Sequence, residues 1–185
     1  GCTAFFEGLK YIVSNLNEAK PTFFVIVPLI AEMIYDRIWK EARKTGKETL
    51  LRRAVAVNNK TKAIGLDAGR FLFKAVTGKL GGRLNTIVSA ASAISPAIVR
   101  GFEDFGITVL QAYGLTETSP LIAATPRLSK DRYKKAGSTG LCNITGELKI
   151  VGQNADGIGE VYFRGPNVML GYYKMPEATA AVMDG

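Results

Sequence analysis

Apolar residues recur along this chain with two different periods. In FFEGLKYIVSNLNE (5–18) they fall at 5, 6, 9, 12, 13 and 16, which predicts a helix that Lys20 and Pro21 end. TFFVIV (22–27) is an unbroken β-branched and aromatic run, the pattern of a strand buried on both faces of a parallel sheet. Pro28 suits the first turn of a helix, and Leu29, Ile30, Met33, Ile34, Ile38 and Ala42 carry it on with one apolar stripe.

Residues 47–79 read as helical and more polar. A second helix around Phe71, Leu72, Ala75 and Val76 stops near Gly78, and Gly81-Gly82 marks a turn. LNTIVSA (84–90) then reads as a strand. Ser95 and Pro96 make an N-cap and first helical residue, with Ile98, Val99, Phe102 and Phe105 as the buried stripe and Gly106 as the stop. ITVLQA (107–112) is the next strand, so strand, short helix and strand form a βαβ crossover.

After Pro126 the texture changes. KDRYKKAGSTG (130–140) is basic and loop-like; ELKIV (147–151) and EVYFRG (160–165), joined through Asn/Asp/Gly turns, predict antiparallel strands. A helix opens at Pro176. The expected fold is therefore α/β, a parallel-sheet βαβ subdomain over 1–128 followed by the start of a smaller antiparallel β subdomain over 129–185.

Composition narrows the chemistry. The chain has 185 residues, 47% hydrophobic and 22% charged, which is the balance of a folded globular protein. There is no histidine, so Ser-His-Asp hydrolysis, Cys-His proteolysis and imidazole zinc sites are excluded within this chain. Cys2 and Cys142 lack metal-ligand or redox spacing, the expectation for reduced intracellular thiols. The longest apolar run, 23–34, is broken by Pro28 and carries Glu32, so no membrane span is expected; nor does the first stretch read as a signal peptide. A cytoplasmic location follows as an expectation.

The net charge of +8 is concentrated. Residues 37–62 hold nine Lys/Arg against Glu41 and Glu48, a local +7. A solvated helical face is the plain explanation; a peripheral contact with the inner face of an anionic membrane is the sharper one. No aromatic interleaving or recognition motif points to nucleic acid.

QAYGLTETSP (111–120) begins at the carboxyl end of the 107–112 strand, where open parallel sheets bind ligands. Each residue has an ordinary role when taken alone: a packing tyrosine, a solvated glutamate, threonines that satisfy their own turn. In this order they match three requirements of an ATP site. Tyr113 offers a flat face to a purine, Thr116 and Thr118 offer hydroxyls to phosphate, and Glu117 offers a hard oxygen to magnesium. Gly114 lets the backbone approach closely.

YGLTE resembles the signature of adenylate-forming enzymes, the superfamily of acyl-CoA synthetases, luciferases and peptide-synthetase adenylation domains. Three further stretches resemble the long-chain acyl-CoA synthetases in family order: KPTFFVIVP with Glu32, GGRLNTIVSAASAISP, and GEVYFRGPNVMLGYYKMPEAT. The resemblance implies that Tyr113 stacks on adenine, with Gln111, Ala112 and Gly114 as the backbone floor and Leu115 beside them. It makes Thr116 and Glu117 catalytic, Thr116 at the α-phosphate and Glu117 on Mg²⁺. The small residues 89–93, Ala91 and Ser92 among them, would border the adenine and acyl pocket. Here the chain departs from the family, which usually has glycine where Ala90 and Ala91 stand.

The implied reaction joins a fatty acid to ATP as acyl-adenylate, then passes the acyl group to coenzyme A. A phosphate loop of the SGTTGxPKG kind, a WxxTGD stretch and a C-terminal domain with its lysine are not in the sequence. The expectation is a piece of a longer enzyme, inactive alone and lacking the remainder of its own chain. Two other readings stand beside it: an adenylating enzyme for aryl, amino or short acids, and a noncatalytic nucleotide- or membrane-binding module.

Overall fold

The structure, a computed structural model, describes residues 2–63, 66, 68–129 and 131–183. A 3₁₀ turn at Leu9–Tyr11 leads into α1 (Ile12–Ala19), which ends at Lys20 in the left-handed conformation. The helix is shorter than the apolar pattern predicts. Phe5 and Phe6 are exposed, so the first two apolar positions have no surface to pack on and do not extend it.

Strand β1 (Phe23–Ile26) runs into α2 (Pro28–Lys44) with Pro28 at the first helical position, as the sequence indicates. Helix α3 (Glu48–Ala63) follows. The single helix expected near 71–78 is two short ones, α4 (Gly69–Leu72) and α5 (Lys74–Gly78), meeting at Phe73, which is fully buried. Then come β2 (Thr86–Ser89), α6 (Pro96–Asp104) and β3 (Thr108–Tyr113). The cap is realised: Ser95 Oγ accepts from Ala97 N at 3.3 Å.

Strands β1, β2 and β3 are parallel and adjacent, with Ile26, Ser89 and Gln111 in register at their carboxyl ends. Two short antiparallel strands, β4 (Ala123–Ala124) and β5 (Leu141–Cys142), complete a five-stranded mixed sheet in the order β1-β2-β3-β4-β5. The antiparallel hairpin expected at 147–164 is present as β6 (Glu147–Val151) and β7 (Glu160–Arg164), and α7 (Pro176–Val182) closes the chain. The α/β class with a parallel part followed by a small antiparallel part therefore holds.

The core lies between the parallel strands and helices α1, α2 and α6. Ile87, Val99, Phe102 and Ile107 have no exposed surface, and Ile26, Ile30 and Ile34 pack against them. Truncating the Phe102 ring to alanine costs about 3–5 kcal/mol, because the cavity left behind collapses only in part.

One expectation fails. β1 is buried on one face only: Phe23 and Val25 are 53% and 60% exposed while Ile26 is buried. The unbroken apolar run predicts a strand covered on both sides, but β1 is the edge of this sheet, and none of the helices in the described residues covers its second face.

The stretch expected to be a loop at 130–140, of which Lys130 lies outside the described residues, is made of turns and is fastened from Arg132 onward. Arg132 makes a two-bond contact to the buried Glu103 carboxylate (2.6 and 2.9 Å), which also accepts from Val109 N. The buried Gln111 side chain donates to the carbonyls of Ala136 (2.7 Å) and Ser138 (3.0 Å). The basic segment is partly engaged as well. Arg52 lies over the Trp39 ring and pairs with Glu48, and Lys62 Nζ donates to Glu103 O.

Candidate nucleotide site

The register of β2 and β3 brings two loops to one end of the sheet, 90–95 after β2 and 114–120 after β3. That is the end at which parallel sheets bind ligands, so Ala91 and Ser92 share an end with the stretch from Gln111 to Glu117. Tyr113 and Gly114 are half-buried, Leu115 and Thr116 exposed, Glu117 half-buried. Ala112 and Tyr113 pair with Ala124 and Ala123, so β4 holds the strand's last two residues straight.

The loop after β3 folds back on itself. A Cβ on Gly114 would fall 1.6 Å from the Pro120 carbonyl oxygen, so no other residue fits there. Thr118 shapes the turn, a 3₁₀ turn at Thr116–Thr118. Its hydroxyl accepts from Leu115 N (3.1 Å), and its one proton is shared between the carbonyls of Leu115 (2.9 Å) and Pro120 (3.2 Å). Thr118 is 5% exposed. The expectation that both threonines serve phosphate is thus corrected: Thr118 is turned inward to close its own turn, and Thr116 is the exposed one.

Glu117 is held from outside the loop. Tyr172 Oη donates to Glu117 Oε1 at 2.6 Å, and this bond draws the carboxyl below its ordinary pKa while raising that of the phenol. Met169 N donates to Glu117 O at 2.7 Å. Asn167 Nδ2 donates to Thr118 O and, at 3.0 Å, to Leu121 O. The segment 167–172 therefore fastens the loop along its outer side.

The loop after β2 is built differently. Ala91, Ser92 and Ala93 are exposed, and Ile94 alone is buried. Ala91 adopts φ 78°, the left-handed region that favours glycine. At the strand end itself, the buried Ser89 Oγ has no hydrogen-bond partner among the described residues.

The donor set fits a magnesium nucleotide. One carboxylate, engaged at Oε1 by Tyr172, suits Mg²⁺, which is held through one or two carboxylates plus substrate phosphates. An exposed threonine hydroxyl and an orphan buried serine hydroxyl at the same sheet end suit a polar ligand. Gln111 is different: its side chain is committed to the 136–138 carbonyls, and only its backbone faces the strand ladder. Sequence reasoning missed Tyr172 and Asn167. Both stand in a stretch that carries the family resemblance, yet nothing local signals that they reach back 55 and 49 residues.

Comparison with known proteins identifies the family. The AMP-binding enzyme family matches residues 3–173. The peroxisomal long chain acyl-CoA synthetase 7 of Arabidopsis thaliana is 31% identical over 98% of this chain and 28% of its own length. Human long-chain-fatty-acid–CoA ligase 1 is 31% identical over 97% of this chain and 27% of its own length. The chain thus spans little more than a quarter of these relatives. Among solved structures, the N-terminal domain of FACL13 from Mycobacterium tuberculosis superposes with a TM-score of 0.60 at 17% identity, covering 96% of this chain and 37% of that one. A long-chain-fatty-acid-CoA ligase (FadD1) from Archaeoglobus fulgidus gives 0.56 at 19% identity, covering 94% and 30%. These two likenesses concern the fold. With the family match running through β1, both loops and the hairpin, the chain belongs to the AMP-binding enzyme family.

Proposed function

We propose that this chain is the signature-bearing part of a longer long-chain fatty-acid–CoA ligase. The observation that carries the reading is the turn Tyr113–Glu117 at the carboxyl end of the parallel sheet, with its exposed hydroxyl and its positioned carboxylate. The relatives at about 30% identity supply the acid: both are named for long-chain acyl groups.

In this reading Tyr113 stacks on adenine, the backbone from Gln111 to Leu115 lines the base, and Thr116 donates to the α-phosphate. Glu117 holds Mg²⁺, which when bound offsets phosphate charge. The small residues Ala91 and Ser92 border the adenine and the acyl end. A fatty carboxylate oxygen attacks the α-phosphorus, the bond to pyrophosphate breaks, and acyl-adenylate remains. The thiolate sulfur of coenzyme A then attacks the acyl carbon and AMP departs. What the chain contributes is position and fixed dipoles at the transferring phosphoryl group.

The basic segment 37–62 would bring the enzyme to an anionic membrane surface. Among the described residues no helix is long and apolar enough to cross a membrane, so such a contact is peripheral as far as these helices are concerned. Co-sedimentation with liposomes should rise with their anionic lipid content; indifference to it removes this part.

The main test is ATP–pyrophosphate exchange driven by a panel of acids. The full-length protein should exchange with long-chain acids, and Glu117→Gln should lower the rate by about 10²–10³. The 185 residues alone should give only background. Exchange driven by aryl, amino or short acids but not long-chain ones would overturn the choice of substrate.

A further inference from the structure

The Glu117 carboxylate sits on a half-buried turn, and such a side chain has three rotatable bonds. Its own loop offers the carboxylate a bond from the Glu117 backbone N–H. The larger hold comes from Tyr172, 55 residues away, through the 2.6 Å bond from its phenol to Oε1. We propose that Tyr172 is a positioning residue of the adenylation site: it engages one oxygen of Glu117 and so presents the other to the magnesium of the nucleotide. This rests on the function proposed above.

Two features make the contact more than a surface bond. Tyr172 is itself held from behind. Its backbone N donates to Thr179 Oγ1 (2.9 Å), whose hydroxyl donates in turn to Met175 O (2.9 Å) at the start of α7. Gly171 makes this approach feasible: its φ is 142°, and a Cβ there would meet Thr179 Cγ2 at 2.8 Å. Secondly, the same segment grips the main chain of the turn, by Met169 N to Glu117 O and Asn167 Nδ2 to Thr118 O and Leu121 O. The main-chain bonds set where the turn lies. The phenol sets which way the carboxylate faces. Removing the phenolic oxygen alone separates the two effects.

The experiment uses the full-length protein and a Mn²⁺ complex of a non-hydrolysable ATP analogue, whose binding is read directly by water-proton relaxation. Tyr172→Phe keeps the ring and the main-chain bonds. It should weaken the metal–nucleotide affinity roughly tenfold while the melting temperature and the hydrogen exchange of 114–120 stay at wild-type values. In the Glu117→Gln background the same change should have no further effect, because the group it positions is gone. Thr179→Val keeps the phenol but loosens its anchor, and should weaken affinity in the same direction by less. Wild-type affinity in Tyr172→Phe, or an equal loss with and without Glu117, overturns the inference alone. A wild-type protein that binds no metal–nucleotide at all overturns the proposed function and this inference with it.

Discussion

Two loops leave neighbouring strands at the same end of the sheet and are built in opposite ways. The loop after β3 is closed by Thr118, fits a glycine into a contact no Cβ could make, and is fastened externally by Asn167, Met169 and Tyr172. The loop after β2 is exposed at Ala91, Ser92 and Ala93, is pinned by Ile94 and the Ser95 cap, and puts an alanine where the backbone favours glycine. The difference matches the proposed roles. A carboxylate that receives a metal must be aimed to within a fraction of an ångström, whereas a wall of small side chains beside an acyl group needs only to leave room.

The largest way to break this comparison is Gly114→Ala. The added methyl meets a main-chain carbonyl, which cannot rotate away, so the turn itself must open. We expect the local opening free energy of 114–120 to fall by about 3 kcal/mol, the upper end for an overpacked site, with long-chain exchange activity lost. Hydrogen exchange resolved by peptide should show faster exchange in 114–120 and none in 90–95. Equal change in both loops would mean they are one mechanical unit.

A smaller effect is expected on the other side. Ser95→Ala removes the acceptor for Ala97 N at the start of α6 and should cost about 1 kcal/mol, felt in 90–99 and not in 114–120.

These cases also show which parts of the molecule the sequence could reveal. Ser95-Pro96 was legible because cap and first turn are adjacent in the chain. Gly114 was legible as a place of close approach, although the partner, Pro120, was not. The hairpin at 147–164 was legible because alternation and Asn/Asp/Gly turns are local signals. By contrast, β1 looked covered on both faces: periodicity reports side-chain polarity, not what lies opposite. Tyr172 and Asn167 were illegible as site residues because their partners are distant in sequence. Thr118 looked like a ligand for phosphate, since a hydroxyl that closes its own turn has the same one-letter signal as one that faces a ligand.

Ala91→Gly sharpens the comparison in the opposite sense. At φ 78° an alanine pays a steric cost that glycine does not, offset in part by the greater freedom of glycine in the unfolded chain. The net gain should be about 0.5 kcal/mol, seen as a higher denaturation midpoint and slower exchange in 90–95. A loss of stability would show that the Ala91 methyl makes a contact worth more than the strain.

The smallest differential effect is expected from Asp104→Asn, because helix α6 and strand β3 join the two loops and a change at their junction should reach both alike. Asp104 is buried, and one of its carboxyl oxygens has no partner among the described residues. Burial pushes its pKa up, while bonds from Tyr133 and Asn59 and the charge of Lys62 pull the other way. A folded value above the unfolded one, about 3.9, means that the folded state binds more protons. The stability this group contributes is then greatest below about pH 4 and declines as pH rises through the folded value. Asparagine does not titrate, so relative to wild type Asp104→Asn should gain stability as pH rises from 4 to 7, measured by denaturant unfolding at each pH. If the variant instead loses ground towards pH 7, the Tyr133 and Asn59 bonds to the ionised form outweigh burial. If one loop responds and the other does not, the two are set apart at the level of the helix as well as at their tips.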